Sequence, residues 1–88
     1  MDREAQRLHE AIGSRLRELR RAEQGLSQES LAARAGFHRT YIGKLERGES
    51  AATVDGIAAL CTALGVTLAE FFAPFDTTFG MRGPRRRR

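Results

Sequence analysis

The chain contains one cysteine, two prolines, one tyrosine and no tryptophan in 88 residues. A single thiol, Cys61, excludes an internal disulfide and points to a reducing compartment. No apolar run approaches the roughly 20 residues a membrane helix needs. The first ten residues, MDREAQRLHE, are polar and charged and do not read as a signal peptide. The expected location is therefore the cytoplasm, with no membrane contact. Asn-Gly and Asp-Gly hairpin signals are missing, as is any useful run of alternating apolar and polar residues, so β-structure is not expected. His9 and His38 have no cysteine or carboxylate cluster at ligand spacing, so no metal site is indicated. Nothing resembles a nucleophile–base pair, a phosphate loop or two paired carboxylates. The expectation is a protein that is not an enzyme, with no cofactor and no small-molecule ligand.

What is present is helical periodicity almost throughout. Leu8, Ile12, Leu16 and Leu19 form one stripe on a first helix from about residue 2 or 4 to residue 23, closed by Gly25. Ser27 caps a second helix, with Leu26 and Leu31 spaced as a hydrophobic staple, and Gly36 ends it. A third helix starts near His38, carries Phe37 and Ile42 as its staple, and ends at Gly48. Thr53 caps a fourth, whose stripe is Val54, Ile57, Leu60, Cys61 and Leu64, closed by Gly65. Thr67 and Glu70 form a capping box for a short fifth helix that Pro74 stops. The expected fold is all-α: five helices in one compact domain over residues 12–73. Residues 1–11 extend the first helix, and residues 74–88 form a C-terminal segment with a basic tail.

Residues 27–46, SQESLAARAGFHRTYIGKLE, are the most informative. Two helices crossing at a steep angle need a small residue where they touch, and Ala32 supplies it. The sharp turn between them needs a residue tolerant of positive φ, and Gly36 supplies it. Ile42 and Leu45 give the second helix of the pair one buried face. At 100° per residue, Thr40, Gly43, Lys44 and Arg47 then point outward, with Arg39 and Tyr41 on the flanks. This is the layout of a helix-turn-helix, whose second helix enters the DNA major groove. Arg can bond guanine bidentately and Thr can meet a base edge. Lys44, Arg47 and the Tyr41 hydroxyl suit phosphates. Gly43 would let the helix backbone approach DNA closely. Ser27 and Gln28 lie at a helix N-terminus, where a phosphate is favoured.

The formal charge of +4 is unevenly placed. Residues 1–48 carry ten basic and seven acidic groups, and residues 49–81 carry four acidic groups and no basic one. The surplus sits in the last seven residues, RGPRRRR. That tail reads either as an arm along the DNA backbone or minor groove, or as a source of non-specific affinity and solubility. Four of five phenylalanines, Phe71, Phe72, Phe75 and Phe79, fall within nine residues. One of the first two can complete the core, and the rest form an apolar patch expected to be a homodimer interface.

The stretch from Ile12 to Phe72 resembles the Cro and phage-repressor type of helix-turn-helix, the lambda-repressor-like or xenobiotic-response-element family. The resemblance implies a five-helix domain that binds operator DNA, usually as a homodimer. It carries the family's first base-and-phosphate glutamine onto Gln28 and its base-reading positions onto Arg39, Thr40 and Lys44. The run HRTYIGKLERG is also similar to the controller proteins of restriction–modification systems, although the loop Gly48–Ala51 lacks the arginine that several of them carry. His38 stands where the family commonly has Ser, Thr or Asp. The family often pairs a first-helix arginine with the glutamate here at Glu46, and periodicity selects Arg20 over Arg21 as that partner. The resulting expectation is a transcriptional regulator, a repressor or autoregulator, that binds a pseudo-palindromic operator as a homodimer through residues 38–47. The alternatives are an antitoxin-like module that also binds a protein, and an RNA-binding domain.

Overall fold

In a computed structural model, residues 3–75 are described. They form α1 (Arg3–Ala22), α2 (Gln28–Ala35), α3 (Arg39–Glu46), α4 (Val54–Leu64) and α5 (Leu68–Phe72). Among the described residues there is no strand. No helix there is long and apolar enough to cross a membrane. Phe79 and the arginine-rich tail lie outside the described residues.

Local chemistry sets most helix ends. The hydroxyls of Ser27 and Thr53 accept from the backbone N–H of Ser30 and Gly56 at 3.0 and 2.9 Å. The Thr67–Glu70 capping box is formed in both directions, at 2.8 and 2.9 Å. Gly36 and Gly65 close α2 and α4 in the left-handed conformation, at φ +80° and +76°. The exit from α1 uses two left-handed residues in succession, Gln24 (φ +53°) and Gly25 (φ +68°). A capping hydroxyl is worth about 1 kcal/mol, enough to place a helix start even in so short a helix as α2.

The core lies where the helices converge. Leu16 of α1, Leu31 of α2, Ile42 and Leu45 of α3, Leu60 of α4 and Phe71 of α5 are its largest fully buried side chains. α3 packs on both α1 and α2, and α4 packs on α2 and α5. The α1–α3 crossing depends on Gly13. A Cβ there would collide with the Leu45 carbonyl oxygen and come within 2.8 Å of the Glu46 carbonyl oxygen. α5 has only five residues, and Arg15 of α1 holds it. The Arg15 guanidinium donates to the carbonyls of Phe71 and Glu70 at 2.8 and 2.7 Å. Carbonyls in the last turn of a helix lie beyond its own donors as a rule, and the guanidinium supplies donors there.

Two apolar positions depart from the sequence reading. Val54 belongs to the expected α4 stripe, yet it is 72% exposed. It is the first residue of α4, and a stripe is buried only along the length its neighbours cover. Phe71, expected in the apolar interface patch, is 1% exposed and fills the core of its own chain. Its ring therefore has no face to offer a partner. Phe72 and Phe75 are half-buried, with Phe72 edge-on to Phe71 at 4.9 Å and to Phe75 at 5.1 Å.

Candidate nucleic-acid interface

The orientation of α3 is set from beneath by a buried ion pair. Arg20 Nε donates to Glu46 Oε2 at 2.6 Å and Arg20 Nη2 to Glu46 Oε1 at 3.0 Å. The Glu46 side chain is 0% exposed and that of Arg20 10%. Arg20 Nη1 also donates to the Leu26 carbonyl at 2.7 Å, which ties the α1–α2 turn into the same cluster. Gln28 Nε2 donates to Glu46 Oε1 at 3.0 Å, and Arg17 Nε lies 3.6 Å from that oxygen. Burial alone would push the Glu46 carboxyl upward and is the largest single influence. The hydrogen bonds from Arg20 and Gln28, with the charges of Arg20 and Arg17, together outweigh it, so the carboxyl titrates below its usual range. Three helices thus converge on one carboxylate at the end of α3.

Above this cluster, Arg39, Thr40, Lys44 and Arg47 are exposed. They sit together on α3 and its cap because Ile42 and Leu45 occupy the opposite face, fully buried. Tyr41 is half-buried. Its ring packs against Phe37 at 5.0 Å, and its hydroxyl lies over Gly56 at the start of α4. His38 is exposed and precedes α3 in extended conformation, with no side-chain capping bond. Ser27 is exposed, with its oxygen already engaged as the α2 cap. Ala32 is buried, and Gly36 makes the left-handed turn between the two helices.

Gly43 differs from the sequence reading. It is buried, because the Arg47 side chain lies back over it. A Cβ at Gly43 would stand 3.1 Å from Arg47 Nη1 and 3.7 Å from Gln28 Oε1. The missing side chain makes room for a neighbouring guanidinium, so the α3 backbone is not bare at this point. Gln28 also has a structural role that the motif alone did not reveal: its amide nitrogen donates to Glu46.

A family model described as helix-turn-helix matches residues 16–71. The chain belongs to the helix-turn-helix family. It is a DNA-binding transcriptional regulator, of the type that the Cro and phage-repressor resemblance implied. An uncharacterized HTH-type transcriptional regulator of Sinorhizobium fredii is 43% identical over 76 residues, covering 85% of this chain and 97% of that protein. The control protein C.MunI of a Mycoplasma species is 34% identical over 65 residues, covering 74% of this chain and 88% of its own. Among solved structures, the restriction-modification controller protein C.AhdI of Aeromonas hydrophila superposes with a TM-score of 0.69 at 45% identity. That match covers 73% of this chain and 96% of the controller.

For a helix-turn-helix protein the cluster has a plain physical consequence. The buried pair fastens the C-terminal end of α3 to α1, which restrains the second helix of the motif from rocking. The residues that sequence reasoning missed, Gly13 and Arg17, both act at this fastening. Gly13 carries a weak signal, since it sits between Ile12 and Leu16 on the apolar side of α1. Arg17 carries none.

Proposed function

We propose that two copies of this chain bind a pseudo-palindromic operator and regulate transcription by occupancy, as a repressor or autoregulator. The observation that carries this reading is the exposed set Arg39, Thr40, Lys44 and Arg47 on a helix anchored from below by Glu46. Arg39 and Thr40, at the start of α3, are the base readers, with Lys44 one turn further on. Tyr41, Gln28, Ser27 and His38 lie around them as backbone contacts, and Arg47 closes the same surface at the end of α3. No catalytic step is assigned to the chain, and it works on double-stranded DNA in the cytoplasm. Similarity to the control protein C.MunI and to the restriction-modification controller protein C.AhdI supports a controller role here. Phe72 and Phe75, half-buried beside α5, are the surface proposed for the partner subunit, with Phe79 beyond the described residues.

The test is selection of binding sites from a random DNA pool. Two half-sites should emerge with centres about one helical turn, roughly 34–36 Å, apart. Arg39→Ala should then cost about 1–3 kcal/mol on that site and relax preference at one base pair. Recovery of a single unrepeated half-site refutes the dimer. Full discrimination by Arg39→Ala refutes the docking register.

A further inference from the structure

The loop after α3 is built to hold one carboxylate over the proposed DNA face. Gly48 is left-handed, at φ +74°. Its N–H donates to the Leu45 carbonyl at 3.0 Å, and the N–H of Glu49 donates to the Lys44 carbonyl at 2.9 Å. This pair of bonds is a Schellman cap. α1 braces it from outside. Gln6 Nε2 donates to the Gly48 carbonyl at 3.2 Å, and Glu10 packs so tightly on Gly48 that a Cβ there would come within 2.7 Å of Glu10 Cγ. Glu49 is therefore placed by backbone geometry.

From that position Glu49 grips Arg47. Arg47 Nε donates to Glu49 Oε2 at 3.0 Å and Nη2 to Oε1 at 3.2 Å. Both side chains are about half exposed, at 51% and 54%. An ion pair so open to water adds little to stability, so folding does not account for it. The grip uses one edge of the guanidinium. Nη1 is left over Gly43, where a Cβ would stand 3.1 Å from it. In this arrangement the guanidinium faces Glu49 and its charge is matched by a carboxylate. The hydrogen bonds and charge of Glu49 raise the Arg47 pKa, and those of Arg47 lower that of Glu49.

We propose that Glu49 is a specificity-determining residue. It keeps Arg47 from bonding whatever phosphate is nearest and holds its free edge in a single orientation that only the operator satisfies. A free arginine neutralises a phosphate on any sequence. A paired one gains little from the backbone and must be rewarded by a correctly placed acceptor. The inference rests on the docking of α3 proposed above.

The experiment compares wild type and Glu49→Gln, by fluorescence anisotropy across a salt series, on two duplexes. One is the operator recovered by wild type from the random pool, and the other is an unrelated duplex of the same length. Glutamine keeps the length of the side chain and removes the charge. Freeing Arg47 to neutralise one more phosphate steepens the salt slope on unrelated DNA by about 0.9, equivalent to about eight-fold tighter binding at 0.1 M relative to 1 M salt. The operator should gain much less, so the specificity ratio should fall by roughly the same factor. Adding Arg47→Ala to Glu49→Gln should abolish the gain on unrelated DNA. An equal gain on both duplexes makes Glu49 a general repulsive charge and overturns the proposal. An unchanged slope overturns it as well. If wild type selects no site from the pool, the docking reading fails and takes this inference with it. If wild type selects a site and the ratio is unmoved, only this inference fails.

Discussion

Replacing Arg20 by alanine tests the role of the buried cluster most directly. The change removes two hydrogen bonds to Glu46 and one to the Leu26 carbonyl. It leaves a carboxylate with no exposed surface, still accepting from Gln28, with Arg17 at 3.6 Å as the remaining cation. Removing one member of a buried pair costs about 3–5 kcal/mol, because the other charge stays buried without compensation. Arg17 and Gln28 soften the loss, so the lower end applies, about 3 kcal/mol. A domain of this size loses about 4–8 °C per kcal/mol, so the midpoint should fall by roughly 12–24 °C. Urea and thermal unfolding followed by far-UV circular dichroism measure both quantities. The double variant Arg20→Met/Glu46→Leu removes both charges and should recover most of the stability. It should still bind DNA less well than wild type, since Gln28 no longer has its acceptor. If Arg20→Ala costs less than about 1 kcal/mol, the pair behaves like an exposed one and the anchoring argument fails.

Three further outcomes follow from the same structure. The Glu46 carboxyl is lowered in the folded state from an ordinary value of 4.5, so its contribution is fully present above that value and is lost as pH falls through the folded pKa. Acid titration of stability should therefore show a decline below about pH 4.5 in wild type that is missing from Arg20→Met/Glu46→Leu. Gly13→Ala gains roughly 0.5–1 kcal/mol of helix propensity. It also drives a methyl group into the Leu45 and Glu46 carbonyls, which as backbone cannot yield, and overpacking of this kind costs about 1–3 kcal/mol or more. The net effect on the melting midpoint should be a loss, and a gain would show that α1 can lift from α3 freely. Thr53→Ala removes the α4 cap and should cost about 1 kcal/mol in urea unfolding. A change of only a few tenths would show that packing alone starts that helix.

The helix count and most helix ends are legible in the sequence because each is decided within a few residues. A hydroxyl at Ser27, Thr53 or Thr67 meets an N–H three positions on, and Gly36 and Gly65 turn the chain by their own backbone freedom. The face of α3 is legible for a similar reason. Once Ile42 and Leu45 are inward, the 100° step turns Thr40, Lys44 and Arg47 outward with Arg39 on the flank, and it also turns Gly43 outward, which the structure buries.

Side-chain contacts across elements obey no such local rule. Gly13 reads as one more small residue until α3 crosses it, and which of Phe71 and Phe72 completes the core stays open until α5 folds against it. Gly43 reads as open backbone until Arg47, held by Glu49, lies across it. By itself the sequence determined an all-α chain with a helix-turn-helix and its outward face. The Arg20–Glu46 pair was already indicated by the family resemblance and the periodicity of the first helix, but only the tertiary structure decided that Gln28 and Arg17 join it, because Gln28 reaches that carboxylate across 18 positions. Electrostatics and packing depend on distance in space, and chain spacing reports that distance only within a helical turn or two.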